Sequence, residues 1–353
     1  MERGKVIIGM SGGVDSSVAA YLLKEQGYEV VGVTMHIWQQ ENAANGLKAE
    51  NDARKIANKL GIEHRVVHFE EKFREKVVDY FIDEYLSGKT PNPCNVCNRF
   101  IKWECLLETA KEIGADYVAT GHYARIDKLT NGRYAICNSV TSKKDQTYAL
   151  YNLTQEQLSH TLMPVGAYEK EEIRKIAHDI GLEVASKADS QDICFIPDGD
   201  YASFIRNNCD AAVIKEGDFV DKTGRVLGTH KGITNYTIGQ RKGLNLSMGH
   251  PVFVTEIDVK KNQVVIGESE DLFSKRVYAK DFNYMAVETM EIGQRFIGKI
   301  RYAHKGDWCT VISVSKEDGT IEVEFDEPVR AITKGQALVL YEGEYVAGGG
   351  VVA

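Results

Sequence analysis

The stretch Gly9-Met-Ser-Gly-Gly-Val-Asp-Ser-Ser-Val18 decides how the first half of this 353-residue chain is read. Before it comes Lys5-Val-Ile-Ile-Gly-Met10, a short apolar and β-branched run of the kind that forms a buried strand. After it, Val18, Tyr21 and Leu22 have helical spacing, and Gly27 stands where a helix commonly stops. The stretch is therefore a strand-to-helix turn. Gly12 and Gly13 let the backbone approach a ligand, Ser11, Ser16 and Ser17 offer hydroxyls, and the helix start offers N–H groups without helical partners. This combination suits an anion, most simply a phosphate. No Gly-Lys-Ser/Thr follows, and the third glycine of a dinucleotide fingerprint is missing, so two common phosphate motifs are excluded.

Outward from this turn, strand and helix patterns alternate. Residues 30–34, 65–69 and 117–121 read as strands. Ala53, Ile56, Ala57 and Leu60 mark one helix face, Phe73, Val77, Phe81 and Tyr85 a second, and Leu106, Leu107, Ala110 and Ile113 a third. Alternation predicts an α/β, doubly wound parallel sheet whose ligands sit at the carboxyl ends of the strands. The glycine turn, Met35 and Gly121-His122 all fall at such ends. Helical patterns run to about Gly181, and past Pro197 the segments shorten and glycine becomes frequent. Three units are expected: a nucleotide domain over 1–204, a central α+β module over 205–272, and a C-terminal all-β barrel over 273–353 with a hairpin at Glu317-Asp-Gly-Thr320.

Composition narrows the function. Hydrophobic residues make up 43% of the chain, yet no apolar run approaches the roughly 20 residues that span a bilayer. The start runs directly into a strand, which reads as no signal peptide and a cytoplasmic protein. A net charge of −8 excludes nucleic-acid binding by the overall field and leaves local patches, Arg241-Lys242 and residues 299–305. Seven cysteines in a reducing compartment point to catalysis, metal binding or burial rather than disulfides. Two sites stand out. Thr90-Pro-Asn-Pro-Cys-Asn-Val-Cys-Asn98 is a proline-stiffened loop opening onto a helix, a setting that favours a thiolate. Cys194 sits in Asp189-Ser-Gln-Asp-Ile-Cys-Phe195, an apolar pair behind a polar lead-in.

The Ser-Gly-Gly-x-Asp-Ser loop resembles that of the N-type ATP pyrophosphatases, which cleave ATP between its α and β phosphates to adenylate a substrate. The resemblance implies ATP, and Mg²⁺ between Asp15 and the phosphates. Together with the loop at 90–98, Ala-Thr-Gly-His-Tyr-Ala at 119–124, Lys-Asp-Gln-Thr-Tyr at 144–148, the Cys194 segment and Tyr-Thr-Ile-Gly-Gln-Arg-Lys-Gly-Leu at 236–244, the chain resembles the bacterial tRNA-specific 2-thiouridylases along nearly its whole length. These flip out the wobble uridine of tRNA, adenylate its C2 oxygen and displace AMP with sulfur. The resemblance implies that Gly9, Met10, Ser11, Gly12, Gly13, Val14, Asp15 and Ser16 hold the ATP phosphates, with Met35 and Gly121 at the nucleoside. Cys97 resembles the nucleophile and Cys194 the persulfide carrier. Asn92, Pro93 and Cys94 would line the target base. His122, Lys144, Asp145, Gln146, Arg301, Tyr302 and Gln336 resemble the tRNA contacts, and a sulfur-donor protein (a cysteine desulfurase or relay protein) or sulfide is implied.

The chain departs from the family at position 94, where an aspartate proposed as general base is replaced by Cys94, and in a shortened stretch after Met35. Cys94, Cys97 and Cys194 admit three arrangements: a base-lining Cys94 beside a two-thiol relay, a zinc site short of a fourth ligand, or a [4Fe–4S] cluster with one open iron. Two rival functions remain at this stage: a synthetase with the same loop and an amine nucleophile, and an RNA-binding protein without activity.

Overall fold

A computed structural model describes residues 3–38, 43–186 and 193–353. The polar lead-in at 187–192 and residues 39–42 of the shortened stretch lie outside the described residues.

Val6, Ile7 and Ile8 are fully buried, and this strand, β1 (Lys5–Gly9), is the centre of a parallel sheet. It pairs with β2 (Glu29–His36) and β4 (Tyr117–Ala119), and β3 (Glu63–His68) lies beyond β2. After a hairpin of β5 (Arg125–Lys128) and β6 (Tyr134–Cys137), the two-residue β7 (Thr161–Leu162) completes the order β3-β2-β1-β4-β7. The expected doubly wound sheet is present. Helix α1 (Val14–Glu25) packs Val18, Ala19, Leu22 and Leu23 into a core shared with Ala53, Ile56 and Ala57 of α2 (Ala43–Leu60). α1 begins at Val14, so Ser16 and Ser17 lie in its first turn and Ser11 precedes it. The helical spans 70–86 and 93–113 each contain a π-helical segment, Arg74–Asp79 and Asn98–Cys105, and wide turns of that kind recur at functional sites. Gly114, at φ 71°, ends the second span as the sequence predicts.

The central module is a four-stranded sheet, β8 (Gly217–Asp221), β9 (Val226–His230), β10 (Phe253–Asp258) and β11 (Gln263–Gly267), around Phe219, Val254 and Val264. The C-terminal strands are β12 (Phe273–Tyr284), β13 (Arg295–Lys299), β14 (Asp307–Ser315), β15 (Thr320–Arg330), β16 (Ala337–Glu342) and β17 (Tyr345–Val352). β12 pairs with both β15 and β17, which closes a six-stranded antiparallel barrel. Its interior alternates along each strand, with Ile321, Val323 and Phe325 turned inward.

One feature has no counterpart in the sequence reading. The hairpin β5–β6 leaves the first domain and adds to the outside of the barrel, where Cys137 pairs with Tyr345 of β17. Arg133 donates to the carbonyls of Tyr284 and Met285 at 2.6 and 2.8 Å, and Asn131 donates to Ala286 O at 3.0 Å. Trp103, Tyr148 and Tyr151 of the first domain then share one core with Met285, Val339 and Tyr341.

Candidate active site

The turn from β1 to α1 is held by its own small side chains. Ser17 Oγ donates to Gly13 O at 2.6 Å, and Ser11 N donates to Ser16 Oγ at 3.3 Å. Gly13 is the N-cap of α1, and no side chain caps it. Gly12 has φ +67°, and a Cβ there would stand 2.6 Å from Ala49 O. Gly121, just beyond β4, packs on the turn so closely that a Cβ would stand 2.7 Å from Ser16 N. Met10 and Val14 are buried, so they serve the turn through their backbone. Met35, near the end of β2, brings its methyl group beside Gly9. The phosphate-type turn and both nucleoside residues expected from the sequence thus meet at one sheet edge.

Asp15 is not left facing outward alone. Lys170 Nζ, on the helix Lys170–Asp179, lies 2.7 and 2.8 Å from its two carboxylate oxygens, and Tyr123 Oη donates to it at 2.7 Å. Gln146 Oε1 in turn accepts from Tyr123 N at 2.8 Å. Within the protein the Asp15 carboxylate is thus balanced by a buried lysine. Lys170 was missed because a lysine opening a charged helix carries no local signal. Tyr123 stood unremarked inside the quoted 119–124 motif.

The thiols form the second part. Asn92 caps the turn Pro93–Cys97, its Oδ1 accepting from Cys94 N at 3.1 Å, with Pro93 at the first helical position. Cys94 is exposed, Cys97 is buried, and Cys194 is exposed at its residue surface. The three lie close enough to affect one another's charge. The helix start is expected to favour a thiolate in this loop, but at Cys97 burial works against it. Burial pushes its pKa up to about 12, outweighing the opposing pull of the Lys102 ammonium. Protein atoms crowding the Cys194 sulfur push that thiol up as well, again against Lys102. Lys102 was not singled out in the sequence. Its Nζ is 3.4 Å from His122 Nε2, and His122 Nδ1 is 2.8 Å from Thr120 Oγ1. Burial drives the His122 pKa well down, so the ring is neutral. These contacts run from Lys102, whose charge acts on both thiols, to the strand end that carries Gly121.

Three amide oxygens around the thiol helix, of Asn95, Asn98 and Asn152, are buried without a hydrogen-bond partner among the described residues. Asn98 and Asn152 use their nitrogens on Ala149 O and Asn95 O, at 2.8 and 3.1 Å. Buried unpaired acceptors are unusual and mark a place where a bound donor gains.

The residues expected at tRNA are largely engaged within the protein. Asp145 carboxylate oxygens accept from Ser139 N and Thr147 N at 2.9 and 3.1 Å. Arg301 Nη1 donates to Arg330 O at 2.7 Å, and Gln336 Nε2 donates to Thr90 O at 2.7 Å. Tyr302, half exposed, donates to Asp145 O at 3.1 Å. Lys144 is held by the 3-10 turn Ser142–Lys144, next to these residues. The loop carrying Cys94 is further held by Thr90 N on Lys334 O at 2.8 Å and by Thr90 Oγ1 on Thr237 Oγ1 at 3.2 Å.

The family model described as the tRNA methyl transferase HUP domain matches residues 4–198. Those described as the tRNA methyl transferase PRC-barrel domain and the aminomethyltransferase beta-barrel domain match 203–268 and 274–352. The tRNA-specific 2-thiouridylase MnmA of Lachnoclostridium phytofermentans is 56% identical over 99% of both chains. That of Clostridioides difficile is 54% identical over 99% of this chain and 98% of its own. A solved structure described as a 4-thiouridine synthetase–RNA complex with bound ATP covers 58% of this chain and 50% of its own, at 17% identity and a TM-score of 0.36.

Proposed function

This chain belongs to the tRNA-specific 2-thiouridylase family, and on that premise we propose that it converts the wobble uridine of tRNA to 2-thiouridine at the expense of ATP. The observation that supports the reading is a phosphate-type turn at the carboxyl end of β1 together with thiols that feel the charge of Lys102, which reaches through His122 to Thr120 beside Gly121. An amine-using synthetase has no need of the thiols, and an inactive RNA-binding protein has no need of the intact turn. The methyl transfer in the family model's description has no matching chemistry in this donor set.

The residues suit ATP: an open helix start, small side chains and a glycine cradle that a Cβ would fill. ATP brings Mg²⁺ as its counter-ion, with Asp15 already balanced by Lys170. The C2 oxygen of the uridine attacks the α-phosphorus and pyrophosphate leaves, which turns a poor leaving group into a good one. Cys194, exposed, receives a terminal sulfur from a persulfide donor. The Cys97 thiolate attacks Cys194 Sγ, forming a Cys97–Cys194 disulfide and freeing HS⁻, which adds at C2 and expels AMP. A dithiol reductant then restores both thiols. The base leaves its stack for this, at a cost of a few kcal/mol. A cytoplasmic reaction, where tRNA and ATP are both at hand, fits this reading.

One observation favours a second reading. Cys94 sits with Cys97 and Cys194, and all three can serve as thiolate ligands to a [4Fe–4S] cluster, whose thiolates bind separate irons. Such a cluster would supply an open iron that carries hydrosulfide. The two readings are separated by iron content after anaerobic reconstitution and by the Cys94→Ala variant. Function itself is tested by mass spectrometry of tRNA incubated with protein, ATP and a sulfur source. One oxygen-to-sulfur exchange at the wobble uridine is expected, and unchanged tRNA with intact, folded protein overturns the reading.

A further inference from the structure

Beyond Met35, the carboxyl ends of β2 and β3 set two imidazoles side by side. His36 and His68 are register partners, and their ring centroids are 5.0 Å apart. Glu70, the first residue of the helical span that follows β3, puts its Oε1 3.0 Å from His68 Nδ1. One donor atom from each of these three residues lies within 4.8 Å of the other two. Acidic residues beside a surface histidine are common and need no ligand. Two further observations go past that. Glu50 of α2, with a side chain only 14% exposed, stands 2.9 Å from His36 Nε2 and is itself paired with Arg54. A shielded carboxylate on the far nitrogen of a histidine is the outer partner that metal-ligating histidines almost always have. His68 and Glu70 also line a cleft of ≈ 670 Å³ with Trp38, Glu71 and Arg74, which leaves room for a water or an exchangeable ligand.

We propose that His36, His68 and Glu70 bind one divalent ion of the late first-row transition series, with Zn²⁺ its ordinary occupant and Glu50 orienting the His36 ring. Two imidazoles and one carboxylate with an open position are an established zinc donor set. Imidazole selects such ions over Mg²⁺, which takes oxygen, so this site is chemically separate from the counter-ion of ATP. A tetrahedral site with bonds of about 2.0–2.1 Å has edges of about 3.3 Å, close to the His68–Glu70 spacing. The ion takes the place of the proton those two groups share. It ties β2, β3, α2 and the helical span after β3 together, one residue beyond Met35, and so braces the wall of the nucleoside site rather than acting in catalysis.

The test uses the metal-stripped full chain carrying Cys94→Ser, Cys97→Ser and Cys194→Ser, so that the thiols cannot take the probe. Co²⁺ is titrated with absorption and calorimetric readouts. One Co²⁺ per chain is expected, without thiolate-to-cobalt charge transfer and displaced by Zn²⁺. His68→Gln and Glu70→Gln each weaken binding at least about tenfold, and Glu50→Gln weakens it about 10- to 100-fold. His68 is exposed, so its replacement keeps the fold, as circular dichroism will show. No stoichiometric Co²⁺ uptake, or equal affinity after His68→Gln, overturns the site, and unchanged affinity after Glu50→Gln overturns the role given to Glu50.

Discussion

Lys170 Nζ sits 2.7 and 2.8 Å from the two carboxylate oxygens of Asp15, linking the first helix of the chain to one that begins 155 residues later. The lysine side chain is 9% exposed and the aspartate 30%. Removing one partner of a fully buried pair costs about 3–5 kcal/mol, and the partial exposure of Asp15 lowers this to about 2–3 kcal/mol. Lys170→Met is expected to lose that much stability in urea unfolding. It also weakens ATP binding, because an unpaired carboxylate then stands beside the triphosphate turn. Asp15→Asn in the same chain should recover at least about 1 kcal/mol, and strict additivity of the two changes would deny the coupling.

The two thiols make separable demands. Cys97→Ser and Cys194→Ser are each expected to stop thiolation while leaving ATP and tRNA affinity within a few-fold. Lys102→Met should slow it by at least about tenfold, because a cation that opposes the raised Cys97 pKa is gone. Alkylation of Cys97, followed by peptide mass spectrometry, gives an independent reading. Its rate should climb with pH beyond pH 10, and Lys102→Met should depress it at every pH. Insensitivity to Lys102 removes that residue from the thiol site.

Burial also sets a limit on the alkaline side. Cys97, Cys137 and Cys309 are each pushed up to about 12 from an ordinary 9.0, all by desolvation first. As pH rises through 9 the unfolded chain releases these protons and the folded chain retains them. Stability is therefore intact well below pH 9 and falls as pH rises towards 12, by up to about 1.4 kcal/mol per pH unit for each thiol. Urea unfolding at pH 7.5, 8.25 and 9 samples the range before ordinary tyrosines titrate appreciably. Cys309→Ala should flatten the decline measurably, and a flat profile in the parent protein contradicts the assignment.

Gln336 presents a choice between RNA contact and support. Its side chain holds Thr90 O at 2.7 Å, and Thr90 opens the loop that carries Cys94 and Cys97. Support predicts that Gln336→Ala lowers kcat several-fold with tRNA affinity little changed. Contact predicts the reverse, a raised KM for tRNA with kcat preserved. Steady-state thiolation at varied tRNA concentration distinguishes them, and we expect the first.

Local signals carried much of this fold into the sequence. The β1 turn could be read because a buried β-branched run, two glycines and a helical period follow one another within about fifteen residues, and nothing distant is needed to interpret them. The hairpin at 125–137 could not, because each strand has only four residues and its partner β17 lies at the other end of the chain. The Cys97 environment was misjudged for a related reason. The helix start is local, but the burial that overrides it comes from Phe73, Phe81, Phe195 and Ile205, three separate segments of one cluster. Lys170 and Lys102 look like surface lysines until the chain folds back on them. His36 and His68 lie apart in sequence and become neighbours only through the register of β2 on β3.

The hairpin on the barrel also bears on how the molecule is made. β5 and β6 leave the ribosome long before β17, the strand they join, and until then β6 presents an open edge of the kind that recruits foreign strands. Vectorial, domain-by-domain folding is the usual course for long chains, and here it cannot run to completion, because the first domain waits for the last strand. The barrel therefore acts in biogenesis as a latch that closes behind the rest of the chain. A nascent chain stalled at the end of β15 would also lack Lys334 and Gln336, and with them the anchors of the thiol loop.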